Sequence, residues 1–148
     1  MRDRVFVELD KDLITIMPEY GHYFGRPLRL LKSMYGQTLS GKWWFLELES
    51  WLLSESGGRF VQSECDQALF IRKEPDGSFT KILTYVDDGL YFNSGNNQDI
   101  LRTFEKEIGK KFKLTFQGHA YWFLSMRILQ DKNMNIILDQ SRYAKNLV

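Results

Sequence analysis

The sequence predicts an α+β fold in which helices pack on one face of an antiparallel sheet. Three observations point there. After Gly58, short apolar runs follow one another at hairpin spacing with turn signals between them, which favours antiparallel pairing. Two longer stretches, near 41–56 and 99–110, repeat apolar residues at helical spacing. The 148 residues are 43% hydrophobic and 26% charged, a composition that suits one domain, or a piece of one, with a core of useful size.

Taken in order, Val5-Phe6-Val7-Glu8-Leu9 reads as a short strand. Residues 18–27, PEYGHYFGRP, carry two Gly and two Pro and read as turns. Leu28 to Tyr35 mixes apolar and basic residues and has no clear type. Ser40 is placed to cap a helix from Gly41 to about Ser56, with Trp44, Leu48, Trp51 and Leu52 on one buried face. Gly57-Gly58 ends it. Ala68 to Arg72 and Phe79 to Tyr85 form a hairpin around Glu74-Pro75-Asp76-Gly77. Val86 to Gly89 makes the next turn and Leu90 to Asn93 the returning strand. Asp99 to Lys110 is helical, with Ile100, Phe104 and Ile108 four apart. Phe112 to Phe116 and Tyr121 to Leu129 read as strands, Asp131 to Asn135 as a turn, Ile136 to Leu138 as a strand. Gln140-Ser141 opens a last helix.

Composition excludes several classes of function. A net charge of +1 gives no overall pull toward nucleic acid or membranes. A local basic strip, Arg102, Lys106, Lys110, Lys111 and Lys113, is interrupted by Glu105 and Glu107 and reads first as a solvated helix face. The single cysteine, Cys65, is expected to be a small buried side chain, and there is no Cys/His cluster for zinc. His22 and His119 are isolated, and structural roles are expected for both. Met1 to Asp12 is charged and has no apolar stretch long enough for a signal peptide, and no run approaches the length of a membrane span. A cytoplasmic or nuclear setting is therefore expected, not a secreted one.

The stretch 82–92, ILTYVDDGLYF, sets two adjacent carboxylates, Asp87 and Asp88, between apolar runs. One reading is a plain turn, because Asp88-Gly89 suits a two-residue hairpin. The other is a metal site. Adjacent like charges gain from a cation, and magnesium needs only one or two carboxylates plus substrate phosphates.

Tyr85-Val86-Asp87-Asp88 resembles the Tyr-x-Asp-Asp motif of reverse transcriptases, and flanking blocks resemble the copia-type branch. Leu31-Lys32-Ser33-Met34-Tyr35-Gly36-Gln37 with Ser40 and Trp44 is similar to its "Leu-Tyr-Gly … Ser … Trp" segment. Asp66-Gln67-Ala68-Leu69-Phe70 resembles "Asp-x-Ser-Leu-Phe", and Trp122-Phe123-Leu124-Ser125-Met126-Arg127-Ile128 resembles "Phe-Leu-Gly-x-x-Ile". Leu138-Asp139-Gln140-Ser141-Arg142-Tyr143 resembles "Leu-x-Gln-x-x-Tyr". The blocks keep family order over nearly the whole chain.

The resemblance implies a partial palm and fingers: residues 1–60 a fingers/palm segment, 61–116 the palm with its hairpin, 117–148 the primer-grip hairpin and the start of a helix. It implies an RNA-directed DNA polymerase that adds nucleotides to a primer 3′-hydroxyl with two Mg²⁺ (or Mn²⁺) ions. Asp87 and Asp88 would be the catalytic metal ligands. Tyr85, Val86, Gly36, Gln37 and Ser40 would line the nucleotide and template pocket, and Trp122, Phe123, Leu124, Ser125 and Met126 the primer grip. Lys110 and Lys111 are weaker candidates for phosphate contact. Implied partners are an RNA or DNA template with primer, dNTP, and the rest of a Pol polyprotein: an upstream palm strand, RNase H and integrase. The implied place is the cytoplasm, in a virus-like particle, or the nucleus.

Three departures stand out. Ser40-Gly41 replaces a common Ser-Pro, and Ser125 replaces a usual Gly. The family's first catalytic Asp, in an "Asp-x-x-x-Ala-Phe-Leu" block, has no match, and Asp3, Glu8, Asp10 and Asp12 are acids outside that motif. The reading is thus of a region truncated at both ends and inactive by itself, since this catalysis rests on positioning and electrostatics. The competing reading is a non-catalytic nucleic-acid-binding or interaction remnant of a decayed element. Residues 36–42, GQTLSGK, match seven positions of a phosphate-binding loop, but Trp43 stands where Ser or Thr must hold magnesium, which rejects it.

Overall fold

The computed structural model describes residues 5–32, 34, 36–133 and 135–147. Asp3, Ser33, Tyr35 and Met134 of the predicted 131–135 turn lie outside them. Two compact units divide the chain, Met1–Trp44 and Phe45–Val148.

In the first unit, β1 (Phe6–Val7) pairs antiparallel with β2 (Leu28–Arg29), Phe6 opposite Arg29. Between them lie α1 (Lys11–Ile16), which was not among the expected elements, and a 3₁₀ helix (Pro18–Tyr23) where turns were expected. The α1 helix buries no residue and is held by its cap: the Asp10 carboxylate accepts from the Leu13 N–H at 2.7 Å. Pro18 opens the 3₁₀ turn, where its missing N–H costs nothing. The next helix, α2 (Ser40–Leu53), runs across the boundary between units. Ser40 is its first residue rather than the cap before it.

Gly57 and Gly58 close α2 by contact rather than by backbone freedom. A Cβ on Gly58 would stand 2.8 Å from the Leu52 carbonyl oxygen and 2.9 Å from the Phe60 ring. The left-handed residue of this turn is Arg59, at φ 54°.

The second unit holds a four-stranded antiparallel sheet: β3 (Val61–Gln62), β4 (Leu69–Lys73), β5 (Phe79–Tyr85) and β6 (Asp88–Asn93), in that spatial order. Phe70, Thr80, Ile82, Thr84 and Asn93 alternate onto one covered face. The core lies there, between this face and helices α2 and α3 (Gln98–Lys111), so helices do pack on one side of the sheet. Phe104 of α3 sits at its centre, with ring centroids 5.7 Å from Phe60, 5.5 Å from Tyr91 and 6.5 Å from Trp51. Such pairs add about 0.5–1.5 kcal/mol each beyond burial. A second antiparallel sheet takes β7 (Trp122–Phe123), β8 (Met126–Gln130) and β9 (Ile136–Asp139), followed by α4 (Ser141–Lys145). The described strands thus form three sheets rather than a single one.

A buried ion pair, Arg72 with Glu74, sits at the edge of the core. Arg72, 8% exposed on the covered face, donates through Nε to Glu74 (2.8 Å) and through Nη1 to the Gly58 carbonyl (3.0 Å). Glu107 of α3 lies 3.5 Å away, and the guanidinium stacks 4.8 Å from the Phe60 ring centroid.

A polar network ties the end of the β5–β6 hairpin away from its turn. Asn93 donates to Ser78 Oγ (2.8 Å) and accepts from the Gly95 and Asn97 N–H groups. Asn97 caps α3 and donates to Asp76 in the β4–β5 turn (3.0 Å). The Phe79 N–H bonds Ser94 Oγ at 2.9 Å.

Three further expectations need correction. Residues 112–116 form no strand: the Phe112 N–H closes α3 on the Ile108 carbonyl (2.9 Å) and its ring packs edge-on to Trp51 at 6.0 Å. Cys65 is exposed, not buried. The β5–β6 turn is Val86-Asp87, while Asp88-Gly89 belong to β6.

Candidate functional site

The tip of the β5–β6 hairpin follows from the alternation along β5. With Thr80, Ile82 and Thr84 turned inward, Tyr85 falls on the open face, and its register partner Asp88 falls beside it. Only Val86 and Asp87 remain to reverse the chain. Val86 takes φ 51°, in the left-handed region that a branched side chain rarely enters. Tyr85 and Val86 are 56% and 63% exposed, and both aspartates are exposed. Four of the predicted site residues, Tyr85, Val86, Asp87 and Asp88, are thereby brought together on one solvent-facing tip.

Among the described residues no ion pair reaches Asp87 or Asp88. Their oxygens are the hard donors that magnesium or manganese prefers. The number of donors is short: among the described residues no group of three His, Cys, Asp or Glu is placed to hold a metal ion. The donor chemistry of the tip fits a divalent cation, and a closed site calls for a further carboxylate. Among the described residues β6 ends the strand order of its sheet, so an unpaired edge runs alongside Asp88.

The other predicted residues belong to two further stretches of the chain, one in each unit. Gly36 (φ 88°) turns the chain in the first unit, Gln37 Oε1 accepts from the Met34 N–H at 3.3 Å, and Ser40 opens α2. Trp122 to Met126 form a tight β7–β8 hairpin with Phe123 opposite Met126. Its two turn residues, Leu124 and Ser125, take φ 50° and 64°, the pattern of a type I′ turn. Ser125 thus stands where glycine is the least strained choice. Phe123 is buried, and Trp122 is 52% exposed. Of the two weaker phosphate candidates, Lys111 pairs with Glu47 of α2 at 3.1 Å.

Sequence reasoning missed the strain at Val86 and the buried Arg72 network. The first leaves no signal in residue types. The second did leave one, because Phe70-x-Arg72 puts a charge on the inward phase of a strand, with Glu74 two residues on.

The family model described as "Reverse transcriptase (RNA-dependent DNA polymerase)" matches residues 16–148. The chain belongs to the copia-type retrotransposon branch of the reverse transcriptase family. It is 21% identical over 145 residues to the Retrovirus-related Pol polyprotein from transposon TNT 1-94 of Nicotiana tabacum, covering 95% of this chain and 10% of that protein. It is 28% identical over 120 residues to the Retrovirus-related Pol polyprotein from transposon RE1 of Arabidopsis thaliana, covering 81% of this chain and 8% of that one. The chain thus spans about a tenth of the length of these relatives. No solved structure matches it.

Two of the reverse transcriptase blocks have a visible local cause. Asp66 accepts from the Ala68 N–H (2.8 Å), an Asx turn that starts β4. Asp139 accepts from the N–H and the hydroxyl of Ser141 at the start of α4. The Ser141 hydroxyl and N–H hold the Asp139 carboxyl below the usual carboxylate range. Among the described residues no helix is long and apolar enough to cross a membrane.

Proposed function

We propose that the β5–β6 tip is the metal-binding part of a nucleotidyl-transfer site, and that residues 61–116 are palm and 117–148 primer grip. The observation that carries this reading is the pair of exposed, adjacent carboxylates on a strained two-residue tip beside a free strand edge. Asp87 and Asp88 would hold the ions. Bound magnesium or manganese would polarise a primer 3′-hydroxyl and stabilise the leaving oxygen. Tyr85 and Val86 face the primer terminus, and Trp122 to Met126 position the primer backbone. Template, primer and dNTP are the substrates. The missing carboxylate comes from an upstream strand of the polyprotein that pairs along the open edge of β6. Residues 1–148 alone therefore bind metal weakly and do not extend primers.

Two measurements test this. Manganese titration followed by electron paramagnetic resonance should show about tenfold weaker binding in Asp87→Asn. Primer extension should be absent from the 148-residue chain and appear when an upstream Asp-x-x-x-Ala-Phe-Leu segment is joined in frame. Robust extension by the 148-residue chain with magnesium defeats the proposal of an incomplete site.

A second reading, a remnant that keeps the fold without the chemistry, is favoured by the lack of a three-donor group among the described residues. Unchanged manganese affinity in Asp87→Asn decides for it.

A further inference from the structure

A second polar site lies at the opposite end of the sheet from the tip. Arg59, Arg72, Lys73, Glu74 and Pro75 line a cavity of about 350 Å³. Lys73 pairs with Phe79 at the start of β5, and Tyr85 with Asp88 at its end. Seven residues of strand, roughly 20 Å, separate the two places.

The floor of the cavity is fixed. Arg72 is held through Nε and Nη1 by Glu74 and the Gly58 carbonyl, and Glu107 stands near, so its charge is already matched. Among the described residues its Nη2 makes no hydrogen bond, which leaves two N–H donors of a rigid fork. The rim is different. Arg59 and Lys73 are exposed, and among the described residues neither has an ion-pair partner.

Arg59 is also an unexpected occupant of its position. It holds φ 54°, where glycine is the default residue and Asn or Asp the next best suited. Two glycines directly precede it, and each avoids a clash with α2. The one position where the backbone favours glycine carries a long cation instead, and that cation borders the cavity. A long cation at a strained backbone position raises the question of what its side chain holds.

We propose that this cavity binds a phosphate group, with Arg59 and Lys73 as its cations and Arg72 Nη2 as a fixed donor. A tetrahedral anion suits this donor set, because charge-assisted hydrogen bonds from guanidinium groups are strong and directional. The cavity is large enough for a diphosphate or a phosphodiester with its sugar. The phosphate comes either from a free diphosphate or from a nucleic-acid backbone.

The 148-residue chain is titrated with pyrophosphate by calorimetry and with a fluorescein-labelled oligothymidylate by anisotropy. Arg59→Gly is the decisive variant, because it removes the cation and relaxes the backbone together. It should melt a few degrees higher than the parent while binding about tenfold more weakly. Lys73→Met, a surface change, should weaken binding similarly. Displacement of the oligonucleotide by pyrophosphate identifies a free-phosphate site. Oligonucleotide binding that resists pyrophosphate, with a shallower salt dependence in Arg59→Gly, identifies a backbone site. Either outcome supports a phosphate site. Excess chelator, which strips the tip of divalent metal, should leave pyrophosphate affinity unchanged, which separates this site from the metal tip. Equal affinities in parent, Arg59→Gly and Lys73→Met, or no saturable binding of either probe, overturn the proposal.

Discussion

Replacing Val86 by glycine tests whether the hairpin tip stores strain for a purpose. Val86 holds φ 51° in a two-residue turn. A residue with a Cβ in that region costs roughly 1–2 kcal/mol, and a branched Cβ lies toward the upper end. Glycine gives back about 0.5–1 kcal/mol through its greater loss of chain entropy on folding. Val86→Gly should therefore stabilise the fold by about 1 kcal/mol, a rise in melting temperature of about 2–4 °C for a chain of this size. The same change frees the turn that holds Asp87 and Asp88, so manganese affinity should fall severalfold. Calorimetric melting and a manganese titration on one preparation measure both. Ser125→Gly is the internal control: with φ 64° in the β7–β8 turn, it should raise the melting temperature similarly and leave manganese binding unchanged. An unchanged or lower melting temperature in Val86→Gly would show that the valine is not strained. A higher one with unchanged manganese affinity would show that the turn geometry does not serve the metal.

Other variants probe the scaffold. Arg72→Met leaves Glu74 buried without its cation and should cost about 3–5 kcal/mol in urea unfolding, part of it recovered by adding Glu74→Gln. Gly58→Ala places a Cβ 2.8 Å from a backbone oxygen and should cost about 1–3 kcal/mol, measured by the same denaturation. Burial and then the hydrogen bond to Glu105 raise the Tyr91 hydroxyl above its ordinary value of 10.0. Its contribution is complete below pH 10.0 and is lost as pH rises toward the folded value, so Tyr91→Phe should flatten the alkaline limb of the stability profile. The Asp76 carboxyl is lowered from 3.8, first by the Ser78 hydroxyl, then by the Ser78 N–H and Asn97. Its contribution is present above pH 3.8 and fades below it, so Asp76→Asn should change stability near neutral pH and blunt the acid limb.

The hairpins and α3 were legible because their signals are local. Thr80, Ile82 and Thr84 alternate with period two, and Phe104 and Ile108 repeat at helical spacing behind the Asn97 cap. The exact turn was not legible. Asp88-Gly89 has the better turn chemistry, and it would set Asn93 opposite Thr84. The structure sets Asn93 opposite Thr80, where it bonds Ser78 and reaches the entry to α3. That long-range network overrides local preference. Residues 112–116 misled for a similar reason: Phe112 alternates with Leu114 like a strand, yet its ring belongs to Trp51. α1 left almost no pattern, since none of its six residues is buried. Of the candidate site, the two carboxylates were readable from residue types and order, while the strain beneath them and the cations around Arg72 arise only in the folded chain.

The network that joins Asp76, Asn97, Asn93 and Ser78 ties the root of the β5–β6 hairpin, while β4 holds β5 as far as Leu83 and Thr84 bonds the Ala68 carbonyl. Among the described residues β6 is held on one side alone, and it runs about 20 Å from the tied root to the two carboxylates. A strand held on one side passes rotations at its root on to its tip. Amide exchange should accordingly slow from Tyr85 back toward Thr80, and loosening the root should blur the position of Asp87 without touching it. The reach and steadiness of the two carboxylates are therefore set as much by an asparagine at the mouth of α3 as by the residues beside them.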